Sequence, residues 1–86
     1  MDELIIMGQV IRSLRKKNDL SQFSVAQRSG INLSYYCRIE GGKANPTVRM
    51  LYSILRTLGV SPVQFIELVS LEMHYLLINA GIAEPA

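Results

Sequence analysis

Apolar residues recur at helical spacing along most of the chain. Between residues 3 and 17, Leu4, Met7, Ile11 and Leu14 fall at intervals of three and four, with Arg12, Arg15, Lys16 and Lys17 mostly toward the other side. Asp2 can cap the start of this helix, and Asn18 and Asp19 end it. Ser21 is an N-cap for a short helix from Gln22 to about Ser29 that carries Phe23, Val25 and Ala26, and Gly30 suits the left-handed position that closes it. Asn32 caps the next, Leu33 to about Glu40, which Gly41 and Gly42 stop. Thr47 caps a helix bearing Val48, Leu51, Ile54, Leu55 and Leu58, ended by Gly59. Ser61-Pro62-Val63-Gln64 then combines a serine cap, a proline at the first helical position and a glutamine at capping-box distance, the clearest helix start in the chain. The last helix should run from Pro62 to about Asn79, with residues 82 to 86 fraying. Nothing reads as a strand, so the pattern predicts an all-α chain of five helices in one domain spanning 1–86.

Composition narrows the function. At 86 residues a folded chain buries only about 60% of the surface its unfolded form exposes, which leaves little room for an enclosed active site. Hydrophobic content of 49% and charged content of 19% argue against disorder. The lone Cys37 rules out an intramolecular disulfide framework, and with His74 as the single histidine there is no zinc-spaced ligand set. No nucleophile–base pair, metal set or phosphate-cradling loop points to an enzyme, and no cofactor is implied. No apolar run reaches the length of a membrane span, and the first residues carry Asp2 and Glu3 rather than a basic leader, so the expectation is a cytoplasmic protein without a membrane partner.

The formal charge of +2 conceals a division along the chain. All nine Lys and Arg lie between residues 12 and 56, where Asp19 and Glu40 are the only acids, a balance of +7. From residue 57 onward there are three acids and no Lys or Arg. This suggests one surface for a polyanion and another for a different partner; basic residues that merely solvate helix faces are the competing explanation. In the basic part, residues 22 to 40 form two helices of about two turns joined at Gly30-Ile31-Asn32. A short glycine-containing turn sets such helices at a steep angle, so that the second can enter the major groove while the first crosses the backbone. Ala26 supplies the short side chain that a close crossing needs, and Val25, Ile31, Tyr36 and Ile39 hold the pair to the core.

Leu14-Arg15, Leu20-Ser21-Gln22, Val25-Ala26, Gly30-Ile31, Arg38-Ile39-Glu40, Gly42-Lys43, Asn45-Pro46-Thr47 and Leu58-Gly59-Val60 together resemble the helix-turn-helix domain of the Cro and phage-repressor type, the XRE family. The resemblance covers about fifty residues, from Ile11 to Val60. It implies a compact five-helix, lambda-repressor-like bundle without a small-molecule ligand, which binds double-stranded DNA as a dimer and controls transcription. In its short length and apolar ends the chain is similar to the small controller regulators of restriction-modification systems.

On the second motif helix, Leu33, Ser34, Cys37 and Arg38 share a face and are expected to meet base edges, with Leu33 alternatively a solvent-exposed residue at the helix start. Gln22, Asn32, Tyr35 and Lys43 are expected at the DNA backbone, Gln22 by resemblance also bracing the recognition helix. Arg15 and Glu40 match family positions that form an internal ion pair. The last helix carries apolar residues on more than one side, which implies a second burial partner. A homodimer built on residues 62 to 80 is therefore expected, with Phe65, Leu68, Val69, Glu72, Met73, Tyr75 and Leu76 in its interface. The alternative is an antitoxin-like module whose apolar tail binds another protein.

Overall fold

A computed structural model describes residues 2–81. Five helices follow in order, α1 (Glu3–Lys17), α2 (Gln22–Ser29), α3 (Leu33–Glu40), α4 (Val48–Leu58) and α5 (Pro62–Asn79), with no strand among the described residues. Each begins at a side chain that can accept a hydrogen bond from an otherwise unpaired amide. Asp2, Ser21, Asn32, Thr47 and Ser61 accept from the amides of Leu4, Ser24, Tyr35, Met50 and Gln64 at 2.9 to 3.2 Å. The α5 cap is reciprocal, since the Ser61 amide donates to the Gln64 side chain at 2.8 Å. Such caps contribute about 1 kcal/mol apiece. This matters most for α2 and α3, which at eight residues each are too short to persist in isolation.

The core joins Val10, Ile11 and Leu14 of α1 to Val25 and Ala26 of α2, Tyr36 and Ile39 of α3, Ile54, Leu55 and Leu58 of α4, and Phe65 of α5. Helices α2 and α4 are also tied through the Ser29 hydroxyl, 3.1 Å from that of Thr57. The chain turns by 93° between α4 and α5, which lays the start of α5 over the open side of the core.

The buried stripe of α1 is turned from the one its periodicity predicts. Ile6 and Val10 are inside, whereas Leu4 and Met7 are half-buried. On another side of α1, Gly8 faces α3 so closely that a Cβ there would lie 2.5 Å from the carbonyl oxygens of both Ile39 and Glu40. Two further apolar residues stay outside. Phe23 is 60% exposed, because it sits about 200° around α2 from Val25. Val48, the first residue of α4, precedes the helix's first contact with the core at Leu51 and stays exposed.

Phe65, expected in a dimer interface, is 1% exposed and packs in the protein's own core. Val69, one turn on, packs partly buried against the same core. The side of α5 that carries these two is covered by α1 and α4, so any partner must use its remaining sides.

The α1–α3 approach yields a test. Alanine favours a helix interior over glycine by about 1 kcal/mol, yet Gly8→Ala should destabilise the fold by about 2 kcal/mol, because its methyl group would meet backbone that cannot move without separating α1 from α3. Urea unfolding monitored by circular dichroism measures the sign directly.

Candidate nucleic-acid interface

Position in the motif is set by a polar network at the junction of the first three helices. The Arg15 guanidinium on α1 meets the Glu40 carboxylate on α3 through two hydrogen bonds, Nε to Oε2 at 2.6 Å and Nη2 to Oε1 at 3.2 Å. Its Nη1 donates to the Leu20 carbonyl ahead of α2 at 2.9 Å. Gln22, the first residue of α2, donates from Nε2 to Glu40 Oε1 at 3.1 Å and accepts from the Cys37 thiol at 3.4 Å. One carboxylate therefore gathers α1 and α2 onto the end of α3. The arrangement is nearly dry, with the Arg15 and Glu40 side chains 11% and 3% exposed.

Burial alone would push the Glu40 carboxyl up, but hydrogen bonds from Arg15 and Gln22, the nearby Tyr36 hydroxyl and the Arg15 charge hold it below the ordinary carboxylate value. The bond to Glu40 raises Arg15 in return against its own burial. The Tyr36 hydroxyl is buried beside this carboxylate but falls short of a well-formed hydrogen bond. Burial first, and the adjacent Glu40 carboxylate after it, push that phenol far up, so it stays neutral.

With this junction fixed, α3 turns Tyr36 and Ile39 inward and leaves Leu33, Ser34 and Arg38 exposed. Arg38 Nη2 donates to the Lys43 carbonyl at 3.1 Å, which ties the end of α3 to the following loop. Gly42 in that loop has φ 72°, and a Cβ there would collide with the Ile5 backbone. Cys37 departs from the expected arrangement. It is half-buried and its thiol is engaged by Gln22, so it belongs to the internal network rather than to the free face of α3. The Gln22 side chain, expected at the DNA backbone, is spent on Glu40 and Cys37 and braces α3 from within.

Asn32 is exposed with its side chain capping α3, Lys43 is exposed, and Tyr35 is half-buried with its hydroxyl donating to the Asn45 carbonyl at 3.4 Å. Arg15 is the one cation in an ion pair among the described residues, which leaves the other eight Lys and Arg for solvent or a polyanion. The signal missed in the sequence is Gly8, whose lack of a side chain seats Glu40 against α1. A glycine inside a strongly helical stretch was the available clue.

A family model described as helix-turn-helix matches residues 11–65. The chain belongs to this family of DNA-reading transcriptional regulators. It is 38% identical over 66 residues to the uncharacterized HTH-type transcriptional regulator y4dJ of Sinorhizobium fredii, covering 77% of this chain and 86% of that one. It is 39% identical over 61 residues to the control protein C.MunI of a Mycoplasma species, covering 70% and 82% respectively. Among solved structures, the restriction-modification controller protein C.Esp1396I, as a tetramer in complex with its natural 35 base-pair operator, superposes with a TM-score of 0.77 at 29% identity, over 84% of this chain and 95% of that one. The fold and the subfamily resemblance expected from the sequence both agree with these relatives. No single helix among the described residues is long and apolar enough to cross a membrane.

Because the Glu40 carboxyl is held below its ordinary value of 4.5 in the folded state, its contribution to stability is complete above that value and is lost as pH falls through the folded one. Stability should drop as pH falls from about 5 to about 3. Glu40→Gln should lessen that drop while costing about 3 kcal/mol at neutral pH, since Arg15 loses its counter-charge. Urea midpoints across this range, for both proteins, check the two effects together.

Proposed function

We propose that the protein is a homodimeric transcriptional regulator, a repressor or autoregulator acting in the cytoplasm, whose α3 reads the major groove of an inverted-repeat operator. The observation that carries this reading is the exposed face of α3, Leu33, Ser34 and Arg38, held outward by the buried Arg15–Glu40–Gln22 junction behind it. Arg38 commits one of its five N–H donors to the Lys43 carbonyl, which leaves donors for the two acceptors of a guanine edge. Ser34 can bond a base or phosphate, and Leu33 offers an apolar contact to a thymine methyl. Lys43, Asn32 and Tyr35 serve the phosphate backbone and set register without reading sequence.

A single reading helix touches few base pairs. Two copies related by a two-fold axis would place their α3 helices about 34 to 36 Å apart on one face of the duplex and sum their energies. The C.Esp1396I relative, crystallised as a tetramer with its operator, supports an oligomer on DNA. The remaining apolar side chains of α5, including Leu68 and Tyr75 of the expected interface, supply a surface for that association. The reading includes no catalytic role, in keeping with a family of regulators rather than enzymes.

Selection of bound sequences from random duplex DNA should return an inverted repeat with half-site centres about one helical turn apart. Recovery of no enriched motif at moderate salt would overturn the reading. Against the selected site, Arg38→Ala should cost about 1 to 3 kcal/mol and relax preference at one base step, whereas Lys43→Ala should weaken all sequences alike and reduce the salt slope by about one. Titrations of cognate and scrambled duplexes at several salt concentrations separate these outcomes.

A further inference from the structure

The outward side of α5 carries a shallow groove lined by Ile66, Glu67, Ser70, Leu71 and His74, all from this one helix. Ile66 and Leu71 flank it, 60% and 66% exposed. Among the described residues no other helix contributes to the groove, and the titratable groups that line it are Glu67 and His74. An apolar border around an acid, a small residue and a base is an unusual surface for a helix that is already packed on its opposite side.

Resting on the homodimer reading, we propose that this groove receives α5 of a second copy, antiparallel, with the two-fold axis between Ser70 and Leu71, so that Glu67 of each copy meets His74 of the other. The arrangement of residues specifies this register. Glu67 lies 3.5 residues before the axis and His74 3.5 residues after it, about 5 Å on either side at the helical rise. An antiparallel partner therefore brings its His74 to the level of Glu67, and symmetry repeats the pair. Ser70, at the crossing, has the short side chain that lets two helices approach closely. Ile66 and Leu71 close over the polar centre from either side. A parallel partner would instead set Glu67 beside Glu67 and His74 beside His74. An unrelated protein would have no reason to match an acid and a base placed symmetrically about the Ser70–Leu71 midpoint.

The pair makes association sensitive to protons. A histidine gains charge between about pH 8 and pH 5, and an imidazolium facing a carboxylate is favoured only once the copies join. Dimerisation should therefore tighten as pH falls from 8 to 6, by about tenfold for two symmetric, partly screened pairs, and loosen as pH rises.

Sedimentation equilibrium of the full chain at pH 6 and pH 8 tests the proposal. Glu67→Gln and His74→Gln, both at exposed positions, should each remove the pH response and weaken the acid-side dimer. The exchanged pair Glu67→His with His74→Glu should restore both. As a separate reading of register, Ser70→Cys on a Cys37→Ser background should form a disulfide-linked dimer on oxidation, because the two copies of residue 70 lie one residue rise apart along the helix axes. A dimer with unchanged affinity between the two pH values, one that keeps its pH response in Glu67→Gln, or one that does not cross-link through residue 70 would overturn this interface and leave the homodimer reading standing. A chain that remains monomeric at both pH values would overturn the two together.

Discussion

The Glu40 carboxylate is the point on which the reading head turns. It receives Arg15 from α1 and Gln22 from α2 while belonging itself to the end of α3, so three short helices share one charged centre. Arg15 adds the Leu20 carbonyl, which fixes the connection from α1 into the motif. The value of the pair is specificity of placement. Buried ion pairs often contribute little net stability relative to well-packed apolar substitutes, but removing one partner strands the other in a nearly dry site, and that penalty holds α3 in one orientation.

That centre would not assemble without two backbone features. Gly8 lets α1 touch the last carbonyls of α3, where any side chain would force the helices apart. Gly42 adopts a left-handed conformation against the Ile5 backbone and carries the chain away from α3 toward Lys43. Neither glycine has a side chain to place on the exposed face of α3, yet both bear on how it is presented. The Arg38 bond to the Lys43 carbonyl then joins α3 and the loop into one unit, so the exposed Arg38 and Lys43 side chains are positioned together.

The α5 helix separates two duties by side. Phe65 and Val69 complete the core, and this is why a domain of so few residues can close at all. Val63, Ile66, Leu71 and Tyr75 remain outside, more apolar area than one small domain can cover. The acidic character of this end also keeps the polyanion-binding part of the chain distinct from the part suited to protein contact, which in the chain's net charge of +2 is averaged away.

Helix boundaries, caps and the helix-turn-helix motif were legible in the residues alone, because caps, glycine stops and hydrophobic periodicity are local and each reports on its own few neighbours. The charge division between the motif and α5 was legible for the same reason. What the residues alone left open was which side of each amphipathic helix faces which neighbour. Phe23 and Phe65 are both aromatic residues near the start of a helix, yet the first points to solvent and the second fills the core. Cys37 shares a face with Ser34 on paper, but the approach of α2 places Gln22 over its thiol. These assignments depend on the crossing of helices distant in sequence, and only tertiary packing, governed by close contacts such as that at Gly8, decides them.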